Sequence, residues 1–302
     1  MPEAQLQPVL DAYTTETGQR VHAEYGDATT LIERMADKRR TPPADLFIAS
    51  NVVDLSTVAD RDLFRPTRSG VLDVNTRPPW RDPEHLWYGL TLRARVFVYR
   101  SEAVEPELVA RLTGYEALSE DHWRGRVCLS SSSVHGNRSL IAMLISTLGS
   151  RDAEILVRGW RANFAIQPLP DDAQLLQALV QGRCELALAP SNLASRAARG
   201  NTAIGVQWPL AKRQVHVDVS GAGVTRHAAN PEQAQSLLEW LASDTANALL
   251  AALALDYPAN PSAATDRQLP RFPAESAYPG NLAGLGYLAE DARLLAERAR
   301  YP

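Results

Sequence analysis

The sequence predicts an α/β fold, and two observations lead to this prediction. Segments with helical spacing alternate with short apolar runs from the beginning of the chain, which is the order of an α/β sheet. Between Arg126 and Arg196, an apolar run twice ends in a polar turn that opens a helix. Such turns most often serve only as helix caps. Because open α/β folds bind ligands at the carboxyl ends of strands, two of them in one half of the chain favour a site.

The first elements follow from apolar spacing and caps. Four apolar residues at helical spacing precede a glycine typical of helix ends: Leu6, Val9, Leu10, Tyr13 and Gly18. Residues 19–25 have the pattern of a strand. Thr29 or Thr30 is expected to cap a second helix that stops before Pro42. Residues 45–49 form a short buried strand, which completes the helix, strand, helix, strand order of a parallel sheet.

A long alternating strand is predicted at residues 87–100, and it carries two arginines. Arg93 and Arg95 lie two positions apart and therefore share one face, while Leu92, Ala94 and Val96 share the other. Two interpretations stay open for the charged face. It is either a solvated edge or an anion-binding pair beside a cleft, since paired guanidiniums suit carboxylate, carbonate or phosphate.

The remaining elements are mostly helices, with one further extended run at residues 215–224. The predicted helices are 106–118, 140–148, 155–160, 172–181, 231–243, 245–255 and 282–300. The sequence has no internal repeat and no low-complexity linker. We therefore expect the middle block to be inserted between two flanking pieces.

Charge and apolar content argue against several classes of protein. The 302-residue chain has a net charge of −4 and no long run of Lys or Arg, so no nucleic-acid surface is expected. No apolar stretch reaches the roughly 18 to 20 residues that span a bilayer. The opening residues lack the pattern of a secretion signal.

The two cysteines, Cys128 and Cys184, occupy matching places in the two strand-and-turn units. They are either a disulfide or two buried thiols, and both interpretations stay open.

The sequence carries no common catalytic or phosphate-binding motif. It lacks G-x-S-x-G, G-x-x-x-x-G-K-[ST], H-E-x-x-H and C-x-x-C. The stretch 284–289 superficially resembles a dinucleotide fingerprint but follows no strand, so we interpret it as packing at a helix start. The six histidines have no metal-ligand spacing, and only His135 lies in a candidate ligand turn. We therefore do not expect an enzyme.

Several stretches, taken together, resemble one family. They are LDAYTTETGQRV, TPPADLFIA, WYGLTLRARVFVY, WRGRVCLSSSS with NRSL, RANFAIQP, GRCELALAPSN, VSGAGV and YPANP. On these stretches the sequence resembles the periplasmic ferric-ion-binding proteins that serve ABC importers, within the bacterial extracellular solute-binding proteins. The resemblance extends over most of the chain.

The resemblance implies a two-lobed, periplasmic-binding-protein-like (type II) α/β fold, with an interlobe cleft and hinge closure on binding. We expect one lobe from 1–95 with 217–265, and the other from 96–216 with 266–302. The family's opening strand is missing. Either the start codon is assigned too far downstream, hiding a signal peptide and the strand, or the protein is a truncated, repurposed relative. We favour the first, because a central strand is costly to omit from a buried parallel sheet.

The iron ligands of the family are largely absent. Its members usually hold ferric iron with tyrosines, including a Tyr-Tyr pair in the turn that here reads Pro190–Leu193. The chain has no adjacent tyrosines, and the turn expected to hold a further tyrosine reads His135–Asn137. Neutral Asn192 cannot replace a phenolate for Fe³⁺, a hard cation. The weak metal candidates that remain are Tyr25, Asp27 and His135.

The anion side of the family's site matches better. The candidate ligand-binding residues are Arg93, Arg95, Ser131, Ser132, Ser133, Asn137, Ser191 and Asn192. We therefore expect a periplasmic, monomeric solute-binding receptor that recognises an anion or an anion-bearing small molecule. Its partners would be the membrane subunits of an ABC importer, with no catalytic residue and no resident cofactor.

Two alternatives stay open. The protein could receive ferric iron or a ferric chelate, in which case the iron arrives already complexed and the protein supplies few ligands. A sensor or an enzyme on the same scaffold is the other alternative. A regulator would need an N-terminal helix-turn-helix, whereas residues 1–60 already match the solute-binding lobe.

Overall fold

The structure is a computed structural model that describes residues 1–37, 44–210 and 214–302. The chain divides into two compact units, each assembled from three segments. Unit 1 comprises Met1–Leu92, Val219–Pro270 and Gly280–Gly286, and unit 2 comprises Arg93–Asp218, Arg271–Pro279 and Tyr287–Pro302. No helix in these described ranges is long and apolar enough to cross a membrane.

The elements alternate along the chain as an α/β fold requires. The strands are β1 (Leu46–Ala49), β2 (Tyr88–Arg100), β3 (Val127–Cys128), β4 (Leu186–Pro190), β5 (Ile204–Gln207), β6 (Val217–Val224) and β7 (Tyr257–Pro258). The helices are α1 (Glu3–Thr17), α2 (Ala28–Ala36), α3 (Val52–Asp60), α4 (Gly70–Asn75), α5 (Pro106–Val109), α6 (His135–Leu148), α7 (Ser150–Ala162), α8 (Asp172–Val180), α9 (Ser191–Ala198), α10 (Pro231–Leu241), α11 (Asp244–Ala254), α12 (Ala283–Tyr287) and α13 (Ala289–Arg298). Both β2 and β6 contain a boundary between the units.

Unit 1 is built on antiparallel pairs rather than on the predicted parallel sheet. Strand β1 pairs antiparallel with β6, with Leu46 opposite Val224, and β7 pairs antiparallel with the first half of β2. Helix α1 packs onto this unit through the four predicted apolar residues. It ends at Gly18, whose φ of 73° lies in the left-handed region that glycine tolerates.

The predicted strand at residues 19–25 is wrong, because the structure assigns no strand there. Val21 and Tyr25 pack against the unit 1 core instead. The Tyr25 hydroxyl donates to Oε1 of Gln7 on α1 at 2.9 Å. The apolar residues of this stretch therefore serve contact with a helix and not pairing in a sheet.

The predicted N-cap of the second helix is also wrong. Asp27, not either threonine, caps α2, since its Oδ1 accepts from the backbone N–H of Thr30 at 3.1 Å. The helix ends at Ala36. Pro42 and Pro43, which were expected to stop it, lie outside the described residues.

Two predicted helices are shorter than expected. The segment 106–118 contains only α5 and then a 3₁₀ turn at Tyr115–Ser119. The segment 282–300 divides into α12 and α13, and Leu294 of α13 is 38% exposed. Two glycines in α12 weaken a continuous helix across this point.

The expected lobe boundaries differ from the observed units in the last part of the chain. Residues 266–270 and 280–286 belong to unit 1, whereas the sequence placed the whole segment 266–302 with the other lobe. The reason is local packing within unit 1. The Ser56 hydroxyl donates to the carbonyl of Ala283 at 3.2 Å, and a Cβ atom at Gly286 would lie 2.1 Å from the Ser56 Cβ.

Unit 2 contains a sheet in the order β3, β4, β2, β5. Strands β4 and β5 flank the second half of β2 and run antiparallel to it. Strand β3 is parallel to β4, with Val127 opposite Leu186. A disulfide joins Cys128 and Cys184, with a Cα–Cα distance of 5.8 Å, within the range that a disulfide can span. Of the two states that the sequence left open for these cysteines, the structure shows the disulfide.

Candidate functional site

The two predicted polar turns lie at one edge of the unit 2 sheet. Because β3 and β4 are parallel neighbours, their carboxyl ends point the same way. Strand β3 leads through the serine turn, defined here as Ser130–Ser133, into α6, and β4 leads directly into α9 at Ser191. The sequence prediction of two strand, turn and helix units is confirmed, and their turns occupy the position where α/β sheets bind ligands.

Arg95 is buried and already paired with a carboxylate. The residue is 2% exposed, and its Nη1 donates to Oδ1 of Asp172 at 2.8 Å. The guanidinium also lies against α6, because a Cβ atom at Gly136 would stand 2.7 Å from Nη2. Of the two interpretations left open for this face, the solvated edge does not hold for Arg95, and its guanidinium is paired with a carboxylate inside unit 2.

Arg93 is likewise in an ion pair. Its Nη2 lies 3.3 Å from Oδ2 of Asp218, and the side chains are 15% and 8% exposed. The strand alternation placed both arginines on one face correctly, but β2 is buried on both faces over most of its length. The two cations face two carboxylates, so the pairs together carry no excess positive charge.

A buried hydrogen-bond network holds the inner side of the serine turn. The Ser130 hydroxyl donates to Oδ1 of Asp172 at 2.7 Å. Asn137, predicted as a ligand contact, is 3% exposed, and its Nδ2 donates within the protein to Ser130 and to the Tyr301 hydroxyl. Ser130 and Asn137 make these hydrogen bonds within the protein, so the structure gives both residues a supporting role.

The outer side of the serine turn is accessible. Ser131 and Ser132 are half-buried and Ser133 is exposed. The Ser131 and Ser133 hydroxyls lie 2.8 Å apart, and the Ser133 N–H donates to the Ser131 hydroxyl. The Ser132 hydroxyl has no partner among the described residues, while its backbone N–H donates to the carbonyl of Pro302. Hydroxyls can donate to or accept from a ligand, so this turn remains the best candidate contact surface.

The turn after β4 contributes less than predicted. Ser191 is 2% exposed, and its hydroxyl accepts from the backbone N–H of Ala94 at 3.1 Å. Asn192 is half-buried and its Oδ1 accepts from the Leu193 N–H at 2.8 Å. Ser191 therefore fixes the start of α9 to β2, and Asn192 is the residue of this turn that is partly accessible.

A buried histidine and tyrosine lie behind the arginines. The backbone N–H of Arg95 donates to the carbonyl of His216, and the Tyr115 hydroxyl donates to the Arg95 carbonyl at 2.9 Å while accepting from the His216 N–H. Burial lowers the pKa of His216 to about 3; Asp218 opposes this shift, and the two arginines add to it. His216 is thus neutral and bonds the Ser139 hydroxyl through Nε2.

Tyr115 and Tyr301, two buried phenols of unit 2, are held in the neutral form. Burial raises the pKa of Tyr115 and of Tyr301 well above the ordinary value for tyrosine. Both hydroxyls are engaged within the protein. The described part of the chain has no group of three His, Cys, Asp or Glu placed to hold a metal ion.

The weak metal candidates belong to different units. Tyr25 and Asp27 belong to unit 1, where Tyr25 bonds α1 and Asp27 caps α2. His135 is an exposed residue at the first position of α6 in unit 2.

Sequence reasoning missed three residues that organise the site: Asp172, Ser130 and Tyr301. Asp172 was assigned only to the start of a helix, where an acidic residue is common for its own reasons. A carboxylate opening the helix before β4 was nevertheless the available signal for a partner of a buried arginine. Tyr301 lies far from the turn along the chain, and no local pattern connects them.

Comparison with known proteins identifies the class of protein. The family profile described as bacterial extracellular solute-binding protein matches residues 2–252. The chain belongs to this family. The predicted fold class, α/β of the two-lobed periplasmic-binding-protein type, is confirmed by solved structures that superpose on nearly the whole chain.

Particular relatives include proteins named for iron uptake. Iron uptake protein A1 of Synechocystis is 33% identical over 255 residues, 82% of this chain and 70% of the relative, and iron uptake protein A2 is 33% identical over 282 residues, 89% and 81%. The Trichodesmium protein IdiA (FutA), solved in complex with iron and citrate ligands, has a TM-score of 0.89 and 29% identity and covers 99% of this chain and 96% of its own. Ferric iron-binding protein A of Mannheimia haemolytica, at 23% identity and a TM-score of 0.88 over 100% and 96%, shares the fold.

Proposed function

We propose that this protein is the solute-binding receptor of an ABC importer for iron, and that it takes ferric iron as a carboxylate chelate. Relatives support this proposal: the two Synechocystis proteins are named for iron uptake, and the Trichodesmium protein was solved with iron and citrate. The observation that carries the chelate form is a unit 2 site that offers accessible hydroxyls without a phenolate.

The chemistry of the site supports a chelated rather than a bare ion. Fe³⁺ owes its binding to anionic oxygen donors. The accessible residues of the serine turn supply neutral hydroxyls, and the carboxylate behind them, Asp172, is already paired with Arg95. Citrate brings carboxylates and a hydroxyl of its own. The serine turn then needs only to hydrogen-bond the outer oxygens of the chelate, which neutral hydroxyl groups do well.

A receptor for an anion alone, which the sequence favoured, has less support. That interpretation required the guanidiniums of Arg93 and Arg95 to face the ligand. Each lies beside a carboxylate of unit 2, and Arg95 is almost wholly buried. An iron-free anion would meet a pair of neutralised cations, and the relatives named for iron do not favour it.

The membership in a family of extracellular solute-binding proteins supports a periplasmic location and a partnership with importer membrane subunits. We propose that the protein acts by binding and delivery and has no catalytic step. A monomer is the state that we propose for it.

The test is calorimetric titration of the purified protein with three probes: ferric citrate, citrate alone, and ferric nitrilotriacetate. We expect saturable binding of ferric citrate, with far weaker binding of citrate alone. Ser132→Ala should weaken ferric citrate binding about five- to tenfold, the worth of one hydrogen bond. Ser236→Ala on α10 is the matched control, since its hydroxyl bonds only within its own helix.

Two results would overturn the proposal. Equal affinity for citrate with and without iron would make the protein an anion receptor. Uptake of bare iron from nitrilotriacetate, with the visible colour of tyrosinate coordination, would return it to the phenolate-binding type.

A further inference from the structure

We propose that Tyr301 is a positioning residue of the ligand site, which holds the serine turn in its binding shape through Ser130 and Asn137. This inference rests on the proposed function, because it assigns a task to the turn that receives the chelate. Tyr301 follows α13 and lies 171 positions from Ser130 along the chain, so the contact is a feature of the tertiary fold.

The Tyr301 side chain is buried, and its hydroxyl contacts both the turn and α6. It is 1% exposed, and its ring meets Phe164 edge-on with centroids 5.4 Å apart. Its hydroxyl donates to the Ser130 carbonyl at 2.5 Å and accepts from Asn137 Nδ2 at 2.9 Å. One hydroxyl thus joins the turn to the first part of α6.

Asn137 bonds the same part of the turn as Tyr301 does. Its Nδ2 lies within 2.9 to 3.1 Å of four oxygens, namely the Ser130 carbonyl and hydroxyl, the Ser131 carbonyl and the Tyr301 hydroxyl. An amide nitrogen has two hydrogens, so these four acceptors must share them. Removal of the Tyr301 hydroxyl deprives the Ser130 carbonyl of its other donor.

The direction of the remaining hydrogen bonds follows from the charges. Arg95 donates to Asp172, and the Ser130 hydroxyl donates to the same carboxylate oxygen. The lone pairs of the Ser130 hydroxyl are then available to Asn137. Every polar group of Ser130 faces inward, and the hydroxyls displayed outward are those of Ser131, Ser132 and Ser133. The network therefore fixes which part of the turn a ligand meets.

Tyr301 cannot itself be the metal ligand in this arrangement. Its hydroxyl is used as a donor, and burial together with the nearby Asp172 raises its pKa, opposed by Arg95. A neutral phenol with an occupied hydrogen is a poor ligand for ferric iron. Its effect on binding must pass through the turn.

The experiment compares Tyr301→Phe with Tyr278→Phe. The first keeps the ring against Phe164 and removes only the hydroxyl. The control removes the hydroxyl of Tyr278, a residue that is 7% exposed and whose hydroxyl lies 2.9 Å from that of Ser146 near the other end of α6. For each protein, hydrogen exchange of the peptides covering the serine turn is measured without ligand, and the Kd for ferric citrate is measured by calorimetry.

We expect Tyr301→Phe to speed exchange in the turn about tenfold and to weaken ferric citrate about five- to tenfold, with Tyr278→Phe near wild type in both. A coupling test separates positioning from general destabilisation. If Tyr301 acts through the turn, adding Tyr301→Phe to Ser132→Ala should weaken binding by less than the product of the single effects.

The outcomes are distinct. Unchanged exchange in the turn, or unchanged affinity in a protein that binds ferric citrate, overturns the inference. The inference is also overturned if the double variant weakens binding by the full product of the two single effects and Tyr278→Phe loses as much stability as Tyr301→Phe. If the wild type binds no ferric citrate while Tyr301→Phe still loosens the turn, the proposed ligand is wrong and the positioning contact stands.

Discussion

Arg95 lies where it does because residue 136 has no side chain. A Cβ atom there would stand 2.7 Å from Nη2 and 2.9 Å from Nε of Arg95. The guanidinium is held by Asp172 in a nearly closed environment and has little room to move. Gly136 is thus a packing requirement of the Arg95–Asp172 pair. In the turn where the family resemblance leads us to expect a tyrosine, this chain has a glycine, and the buried Arg95 of β2 packs against it.

Replacement of Gly136 should therefore destabilise the protein although it lies in a helix. Gly136→Ala gains helix propensity of up to about 1 kcal/mol, but overpacking against Arg95 costs about 1 to 3 kcal/mol. We expect a net loss of about 1 to 2 kcal/mol in urea unfolding. Gly284→Ala in α12 is the control, because its Cβ meets nothing within 4 Å, and it should be neutral or stabilising. Equal effects of the two changes would contradict this account.

The buried His216 predicts a pH dependence of stability with a definite sign. Unfolded, a histidine titrates near 6.5, whereas burial in the folded protein lowers the pKa of His216 to about 3. Between those values the unfolded state binds one proton more than the folded state. The free energy of unfolding should therefore fall by up to about 1.4 kcal/mol per pH unit as the pH drops from 6 to 4.

The variant His216→Gln should flatten this slope, because glutamine does not titrate. The measurement is urea unfolding at pH 7, 6, 5 and 4, and the quantity compared is the slope and not the absolute stability. His227→Gln is the control, since His227 is exposed and should leave the slope as in the wild type. A slope that is identical in all three proteins would show that His216 does not bind its proton on unfolding.

Residue-scale features were only partly predictable from the sequence. Alternation along β2 identified which residues share a face, and Arg93 and Arg95 do share one. Alternation cannot tell whether that face is covered, because the covering carboxylates Asp172 and Asp218 come from distant parts of the chain. The same reason explains why Asn137 was taken for a ligand contact rather than for a buried support.

At the scale of elements, the β3–β4 pair is reinforced covalently. The Cys128–Cys184 bridge closes a segment of 56 residues that includes α6, α7 and α8. Both cysteines are buried in the unit 2 core. Cys128 ends β3, two residues before the serine turn begins at Ser130, so the bridge also fixes the strand from which that turn starts.

Removal of the bridge should cost about 4 kcal/mol, as loop-closure entropy predicts for a loop of this length. The double variant Cys128→Ala and Cys184→Ala should show this loss in urea unfolding. Dithiothreitol should destabilise the wild type and leave the double variant unchanged. If reductant lowers the stability of both proteins alike, the loss does not come from this disulfide.

Elements whose evidence is local were predicted well, and those that depend on partners were not. Helices α10 and α11 and strands β2 and β4 have apolar patterns within their own sequence, and Ser243 caps α11. The extended stretch 19–25 has a strand-like pattern without a strand beside it. The cysteine pairing depended on the parallel register of β3 and β4, which no local pattern specifies.

At the scale of the whole molecule, the chain builds two cores from interleaved segments. The unit 1 core includes Leu238 of α10, and the unit 2 core includes Leu179 of α8; both leucines are fully buried. Strands β2 and β6 each contribute residues to both units. The two units can unfold separately only if each core is stabilised mainly by its own packing.

We expect each core to set the stability of its own unit. Leu238→Ala and Leu179→Ala remove the same side chain from equally buried sites, and each should cost about 2 to 5 kcal/mol. Hydrogen exchange with mass spectrometry reads the two units separately. Amides of the unit that carries the change should exchange at least about 30-fold faster, with a smaller increase in the other unit. The wild type supplies the reference rates in both units. Equal acceleration in both units for both variants would mean that the two cores unfold as one cooperative body, joined through β2 and β6.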